Sequence, residues 1–354
     1  MNAARDAAAA ARGGREFTVY VANADSADIA ILALDRASGA LRDVDRFATG
    51  GKVMPLAVRP DRSVLYASIR DEPLSVLSLA IDAVSGRLAQ IGSAPLPASM
   101  CWISTDASGR FLLSASYGGS VVAVSPIGDD GVARDAQQVV ATDEKAHSIQ
   151  VTHDNRFAFA TCLGGGVVRQ FRFDAASGRL DDNDPPAWRA RPGAGPRHFA
   201  FHPHAPFVYL LNELDATIDV LALDRARGTL ASTGCVVSLL PPRFAGGAPW
   251  AADLHCTADG RFLYASERRS STLSSFAIDP QSGALAPLER IATEAEPRGF
   301  ALAPDGRFLV AVGQASHRLS LYAIDGASGA LAKRAERAVG RNPNWVEIVD
   351  LSAR

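Results

Sequence analysis

One phrase recurs through this chain and limits what it can become. A short apolar run begins at Met54, Met100, Ala146, Pro196, Ala251, Pro297 and Pro343, so its copies follow one another after 46, 46, 50, 55, 46 and 46 residues. Each of the first six copies leads into a turn and an aromatic or aliphatic strand, as in "PDRSVLYAS", "HDNRFAFAT" and "ADGRFLYAS". Most copies are followed by an Asp and then Ser-Gly-x-Leu or a close variant. These stand at Asp35–Leu41, Asp82–Leu88, Asp174–Leu180, Asp224–Leu230, Asp279–Leu285 and Asp325–Leu331. Between the phrases lie runs of 5–8 residues rich in Val, Phe, Tyr, Leu and Ile, broken by Gly, Asp and Ser. That is strand and turn chemistry. No long stretch keeps a helical period, so helices should be few.

About 46 residues accommodate four strands, and four-stranded repeats of that length close into a β-propeller. The two ends of the chain fit closure. "FTVYVAN" (Phe17–Asn23) reads as a second strand with no first strand before it, whereas "NPNWVEIV" near the C-terminus reads as a first strand with nothing after it. The expectation is an all-β, seven-bladed propeller of four-stranded blades, with the C-terminal strand completing the N-terminal blade. No blade edge then stays unpaired. Residues 1–16 are expected to be a disordered tail and 17–354 a single domain.

Composition adds exclusions. Of 354 residues, 47% are hydrophobic and 21% charged, and the net charge is −2. This is ordinary globular composition with no basic excess to suggest nucleic acid. No apolar run approaches the roughly 20 residues that span a bilayer, and Ala7–Ala11 is too short for a secretory core. Cys101, Cys162, Cys235 and Cys256 lie far apart, without metal-ligand spacing, and read as free thiols in a reducing compartment. A cytoplasmic protein with no metal or cofactor is expected. The glycine-rich "CLGGGVV" (Cys162–Val168) has no helix after it and reads as a loop, and no GxSxG is present.

Aligning the repeats places polar residues on one rim. At the start of the first strands, one column reads Met54, Cys101, His147, Arg197, Ala252, Arg298, Asn344. The next reads Pro55, Trp102, Ser148, His198, Asp253, Gly299, Trp345. The ends of the second strands face them with Arg70, Tyr117, Leu163, Glu213, Arg268 and Gln314, and Glu267 stands one residue earlier. His255 lies two residues deeper, towards the channel. His202 and His204 fall at the opposite turn and receive no function. Arginines, carboxylates and histidines thus gather at one mouth, where an anion could be held.

In combination, "AGPRHFAFHP", "YLLNELDATIDVL", "WAADLHCTADGRFLYASERRSSTLSSF", "EPRGFALAPDGRFLVAVGQASHRLSLY" and "VGRNPNWVEI" resemble the propeller-type 6-phosphogluconolactonase family, from about Phe17 to Ile348. That family also includes carboxymuconate-lactonising enzymes. The resemblance implies hydrolysis of 6-phosphogluconolactone in the pentose phosphate pathway, without a cofactor. It implies catalytic positions at His147, Arg197, Glu213 and Arg268, with His198, Asp253 and His255 nearby. Lactone hydrolysis needs a general base, here Glu213 or His147, and donors for an oxyanion, here Arg197 and Arg268. His198, Asp253, His255, Arg298, Arg70, Glu267 and Gln314 are expected to bind substrate. Two alternatives stand beside this reading. One is a lactonising enzyme or lactonase for another anionic substrate, such as carboxymuconate; the other is a non-catalytic propeller that binds a protein.

Overall fold

The computed structural model describes residues 15–353. Its strands run β1 (Glu16–Asn23) to β28 (Pro343–Val349), with two short 3-10 turns as the only helical elements among the described residues. No helix there is long and apolar enough to cross a membrane. The strands form seven four-stranded antiparallel sheets. Blade 1 has the order β28-β1-β2-β3, so the last strand completes the first blade as the termini imply. Val346 of β28 pairs with Val21 of β1, and Ile348 with Val19. β1 starts at Glu16, which already pairs with Asp35. The expected tail of residues 1–16 is therefore too long at its end, because Arg15 and Glu16 are described and Glu16 belongs to β1, while residues 1–14 lie outside the described residues.

Apolar clusters fill the spaces between adjacent blades. Phe17, Val19 and Leu32 of blade 1 pack with Phe308, Val310 and Leu321 of blade 7, so the closing interface is built like the others. The recurring Ser-Gly turn contributes as well. Asp35 Oδ1 accepts from the Ser38 amide and hydroxyl, both at 2.7 Å, an Asx-type turn. Further round the ring, the buried Tyr66, Tyr209 and Tyr264 each donate a hydroxyl to a glycine carbonyl of the next blade's corresponding turn, Gly131, Gly283 and Gly329.

Six of the seven innermost strands share one irregularity. The pairings of β4, β12, β16, β20, β24 and β28 with their second strands slip by one residue near the mouth. The unpaired residue in β12, β16, β20, β24 and β28 is His147, Arg197, Ala252, Arg298 and Asn344, respectively. A bulge bends a strand and re-aims its side chain. The first polar column of the alignment is thus a column of bulges at the mouth of the ring.

Candidate active site

Arg197 is the centre of the mouth. Its side chain is 1% exposed, although a guanidinium is seldom buried unless paired. Its Nε donates to Glu213 Oε2 at 2.6 Å, and Arg268 Nη2 donates to the same oxygen at 3.0 Å. Glu213 directly follows β17 (Phe207–Asn212), Arg268 directly follows β21 (Phe262–Glu267), and Arg197 is the bulge of β16 (Pro196–Phe201). Blades 5 and 6 are therefore joined through one carboxylate oxygen. Removing one member of such a buried group costs about 3–5 kcal/mol, because the charge left behind loses its partner. Arg268 also lies over the Trp250 ring, 3.7 Å from its centroid, a face attractive to cations.

Positive charge exceeds negative at this mouth. Arg298, the bulge of β24 (Pro297–Leu302), has no hydrogen bond or ion pair among the described residues, although it is half-buried. Arg70 is exposed and donates to Ser99 Oγ at 3.0 Å. Burial, then Arg197 and Arg298, pushes the Arg268 guanidinium down to about 8. Burial and Arg197 bring Arg298 to about 10. Arginine keeps its proton at neutral pH, so the lowered values express first the cost of burying these guanidinium groups and then their mutual repulsion, which Glu213 and, at Arg268, Glu267 only partly offset. An anion between these groups would relieve it.

His147 stands beside this cluster. It is 4% exposed, and its Nδ1 is buried with no hydrogen-bond partner among the described residues. Its ring meets those of Tyr117 and His198 edge to face, at 5.9 and 5.1 Å. Burial, followed by Arg197, His198, Arg298 and Arg268, pushes its pKa well below 6.5. His147 is therefore neutral, with an enclosed Nδ1 that has no hydrogen-bond partner among the described residues.

Beneath the mouth, Trp102, His198 and Trp345 from three blades pack edge to face across the channel, with centroids 4.7, 5.3 and 6.2 Å apart. A channel cavity of about 460 Å³ is lined by Trp102, Trp345, Gln150, His255 and Glu347. His255 faces this lower space. Glu347, which the sequence reading missed, accepts from Trp345 Nε1 at 2.9 Å. Burial pushes its carboxyl up to about 7. A single Glu within an apolar strand offered no signal beyond its alternation onto the channel face.

The sequence-derived residues therefore divide. His147, Arg197, Glu213, Arg268, Arg298 and Arg70 converge at the mouth. Gln314 stays on the rim, bonded to Asn342 Oδ1 at 2.7 Å. Glu267 must be reassigned. It is fully buried, and its oxygens accept from the amides of Trp250 and Ser270, both at 2.6 Å, so it pins loops and offers a substrate nothing. Asp253 is also unavailable. Its Oδ1 meets His198 Nδ1 at 2.9 Å and its Oδ2 meets His255 Nε2 at 3.2 Å. His198, 3% exposed, sits behind Arg197 rather than before a ligand. Among the described residues, no group of three or more His, Cys, Asp and Glu is placed to hold a metal ion.

Comparison with known proteins gives this geometry a setting. Residues 17–348 match the family model described as "Lactonase, 7-bladed beta-propeller". The chain is 40% identical over 333 residues to a 6-phosphogluconolactonase of Serratia proteamaculans, covering 94% of this chain and 98% of that protein. A 6-phosphogluconolactonase of Pectobacterium carotovorum is 39% identical over the same shares. Among solved structures, the periplasmic gluconolactonase PpgL of Pseudomonas aeruginosa superposes with a TM-score of 0.88 at 30% identity, covering 94% of this chain and 99% of that one.

Proposed function

This chain belongs to the seven-bladed β-propeller lactonase family, and from that premise we propose that it hydrolyses 6-phosphogluconolactone to 6-phosphogluconate. The observation that carries the anionic substrate is the surplus of cations at the mouth, where Arg197 and Arg268 share Glu213 while Arg298 has no hydrogen bond or ion pair among the described residues. A phosphate suits the free forks of Arg298 and Arg70, since guanidinium donors match its oxygens.

The chemistry follows from the remaining groups. The neutral His147 ring takes a proton from water through Nε2, since Nδ1 is enclosed, as the water oxygen bonds to the lactone carbonyl carbon. Arg197, already fixed through Nε, turns its outer donors to the carbonyl oxygen as that oxygen gains negative charge. Collapse of the tetrahedral intermediate breaks the bond to the ring oxygen. That oxygen leaves with the proton held on His147, which restores the base. Glu213 is the less suitable base, because Oε2 already accepts two guanidinium bonds. A cytoplasmic setting belongs to the same reading and is supported by four cysteines that are all free.

The test is an assay of the purified chain on 6-phosphogluconolactone, unphosphorylated gluconolactone and carboxymuconate. The phosphorylated sugar should be turned over with the highest kcat/KM. Arg298→Ala should raise KM for it roughly tenfold or more, the scale of one charge-assisted contact, and leave KM for the unphosphorylated sugar near its original value. Preference for carboxymuconate would move the protein to the lactonising branch. Inactivity on all three would leave a binding scaffold.

A further inference from the structure

Blade 6 fills one register position unlike the other blades. Two residues before the bulge column stand Lys52, Ser99, Lys145, Gly195, Glu296 and Asn342, but in blade 6 Trp250. The backbone carbonyl at this position accepts the amide that follows the second strand. Lys52 takes Arg70, Lys145 takes Leu163, Gly195 takes Glu213, Trp250 takes Arg268 and Glu296 takes Gln314, at 2.9, 2.9, 2.8, 3.0 and 3.1 Å. In blade 6 the same carbonyl also accepts Arg268 Nε at 3.3 Å, and the Arg268 guanidinium lies on the Trp250 ring. Arg268 Nη2 is engaged by Glu213 Oε2 at 3.0 Å and the Ala251 carbonyl at 3.4 Å. Trp250 is itself held. Its amide donates to Glu267 Oε1 at 2.6 Å, while Oε2 takes the Ser270 amide at 2.6 Å. Arg269 lies 5.8 Å from the same ring and donates through Nε to the Ala248 carbonyl at 3.3 Å.

We propose that Trp250 and Glu267 are positioning residues that fix Arg268 so that its Nη1 meets the oxyanion of the lactone beside Arg197. A guanidinium is a flat fork of donors, and three contacts fix this one. The indole covers a face, a carbonyl takes Nε and a carboxylate takes Nη2. Nη1 is then the Arg268 nitrogen without a hydrogen-bond partner among the described residues. The indole attracts the cation through its π face, so it orients the fork without occupying a donor. Arg268 is 2% exposed, which leaves a substrate little else to touch. Because Arg197 and Arg268 both bind Glu213 Oε2, their guanidinium groups stand side by side, and fixed donors at one oxygen stabilise the charge that develops there. Glu267 sets the height of the indole through the Trp250 amide. A carboxylate accepts at both oxygens, whereas a glutamine would turn an NH₂ group towards one of the two amides.

The inference rests on the mouth acting on a lactone, and the experiment separates the two ideas. In ¹⁵N spectra of the intact chain with labelled arginine and no substrate, the Nε–H signal lost in Arg268→Lys belongs to Arg268. It should be shifted upfield by the indole ring current, and the shift should vanish in Trp250→Leu. On the lactone, Trp250→Leu should lower kcat about 10- to 30-fold, the scale of a desolvated cation–π contact, with KM within about twofold. Trp250→Phe keeps an aromatic face and should stay within about fivefold of the parent. Glu267→Gln should lower kcat about tenfold, the scale of a disturbed buried hydrogen bond to a charged group. In an Arg268→Lys background, Trp250→Leu should change kcat less than about twofold, since residues that act through one another are not additive. An unshifted Arg268 signal in the parent overturns the proposal, and so does parental kcat in either Trp250→Leu or Glu267→Gln. A full loss from Trp250→Leu in the Arg268→Lys background overturns it too, as does a loss confined to KM, because Trp250 would then be a substrate contact. A parent chain inactive on every substrate refutes the functional reading, and the ring-current shift still decides whether Trp250 holds Arg268.

Discussion

His147 can take a proton from water only while its ring is neutral. Burial, with four neighbouring cations or histidines, keeps it so by lowering its pKa well below 6.5. The sign of the pH effect follows. A base with a lowered pKa is already in its working form at pH 6.5, so kcat/KM should stay level from pH 8 down through 6.5. Its acid limb should appear only below that. An unshifted imidazole would have lost half its activity at about 6.5. The profile is best measured on unphosphorylated gluconolactone, because a phosphate titrates near pH 6. His147→Ala should lower kcat/KM by ~10² or more, the scale for a general base. An acid midpoint at or above 6.5, or a fully active alanine variant, would remove His147 from the role.

At the scale of elements, the turn between the third and fourth strands does two jobs, and one substitution tests both. Gly228 ends such a turn at φ +65°, and a Cβ there would lie 2.1 Å from the Phe157 ring of the preceding blade. Gly228→Ala meets left-handed backbone strain of about 1 kcal/mol and overpacking of about 1–3 kcal/mol. Urea unfolding should show a loss of that order, with KM unchanged because the turn lies far from the mouth. An unaffected midpoint would mean that the turn is not a blade-to-blade contact. The repeat made these turns and the seven-bladed ring legible in the sequence, because period and composition mark them together. The bulges were not legible, since an inserted residue looks like any other strand residue. The column they re-aim was nevertheless found by alignment, as a shared position holding His147, Arg197 and Arg298. Glu267 misled because its place on the rim was read correctly while its partners were not. The Trp250 amide it accepts belongs to a long loop outside the repeat. The burial of Arg197 and Arg268 was equally hidden, because it depends on contacts between blades 5 and 6 that no local pattern encodes.

The molecule as a whole is slightly acidic, with 36 basic and 38 acidic side chains. The ring gathers four of its arginines, Arg70, Arg197, Arg268 and Arg298, around one mouth. Closure by β28 is what fixes that mouth, since the strand also supplies Asn344 to the bulge column and Trp345 to the aromatic layer below. A positive opening on a weakly negative body attracts an anion through a local field, and salt screens such a field over about 10 Å at 0.1 M and about 3 Å at 1 M. For the phosphorylated lactone, kcat/KM should therefore fall severalfold as salt rises from about 0.05 to 0.5 M, mainly through KM. For an uncharged gluconolactone the same titration should be nearly flat, because nothing on that substrate feels the screened field. Parallel slopes for the two substrates would mean that salt acts on the protein's conformation. A flat response for both would mean that the arginines contribute only after the substrate has docked, within contact distance, where screening no longer reaches.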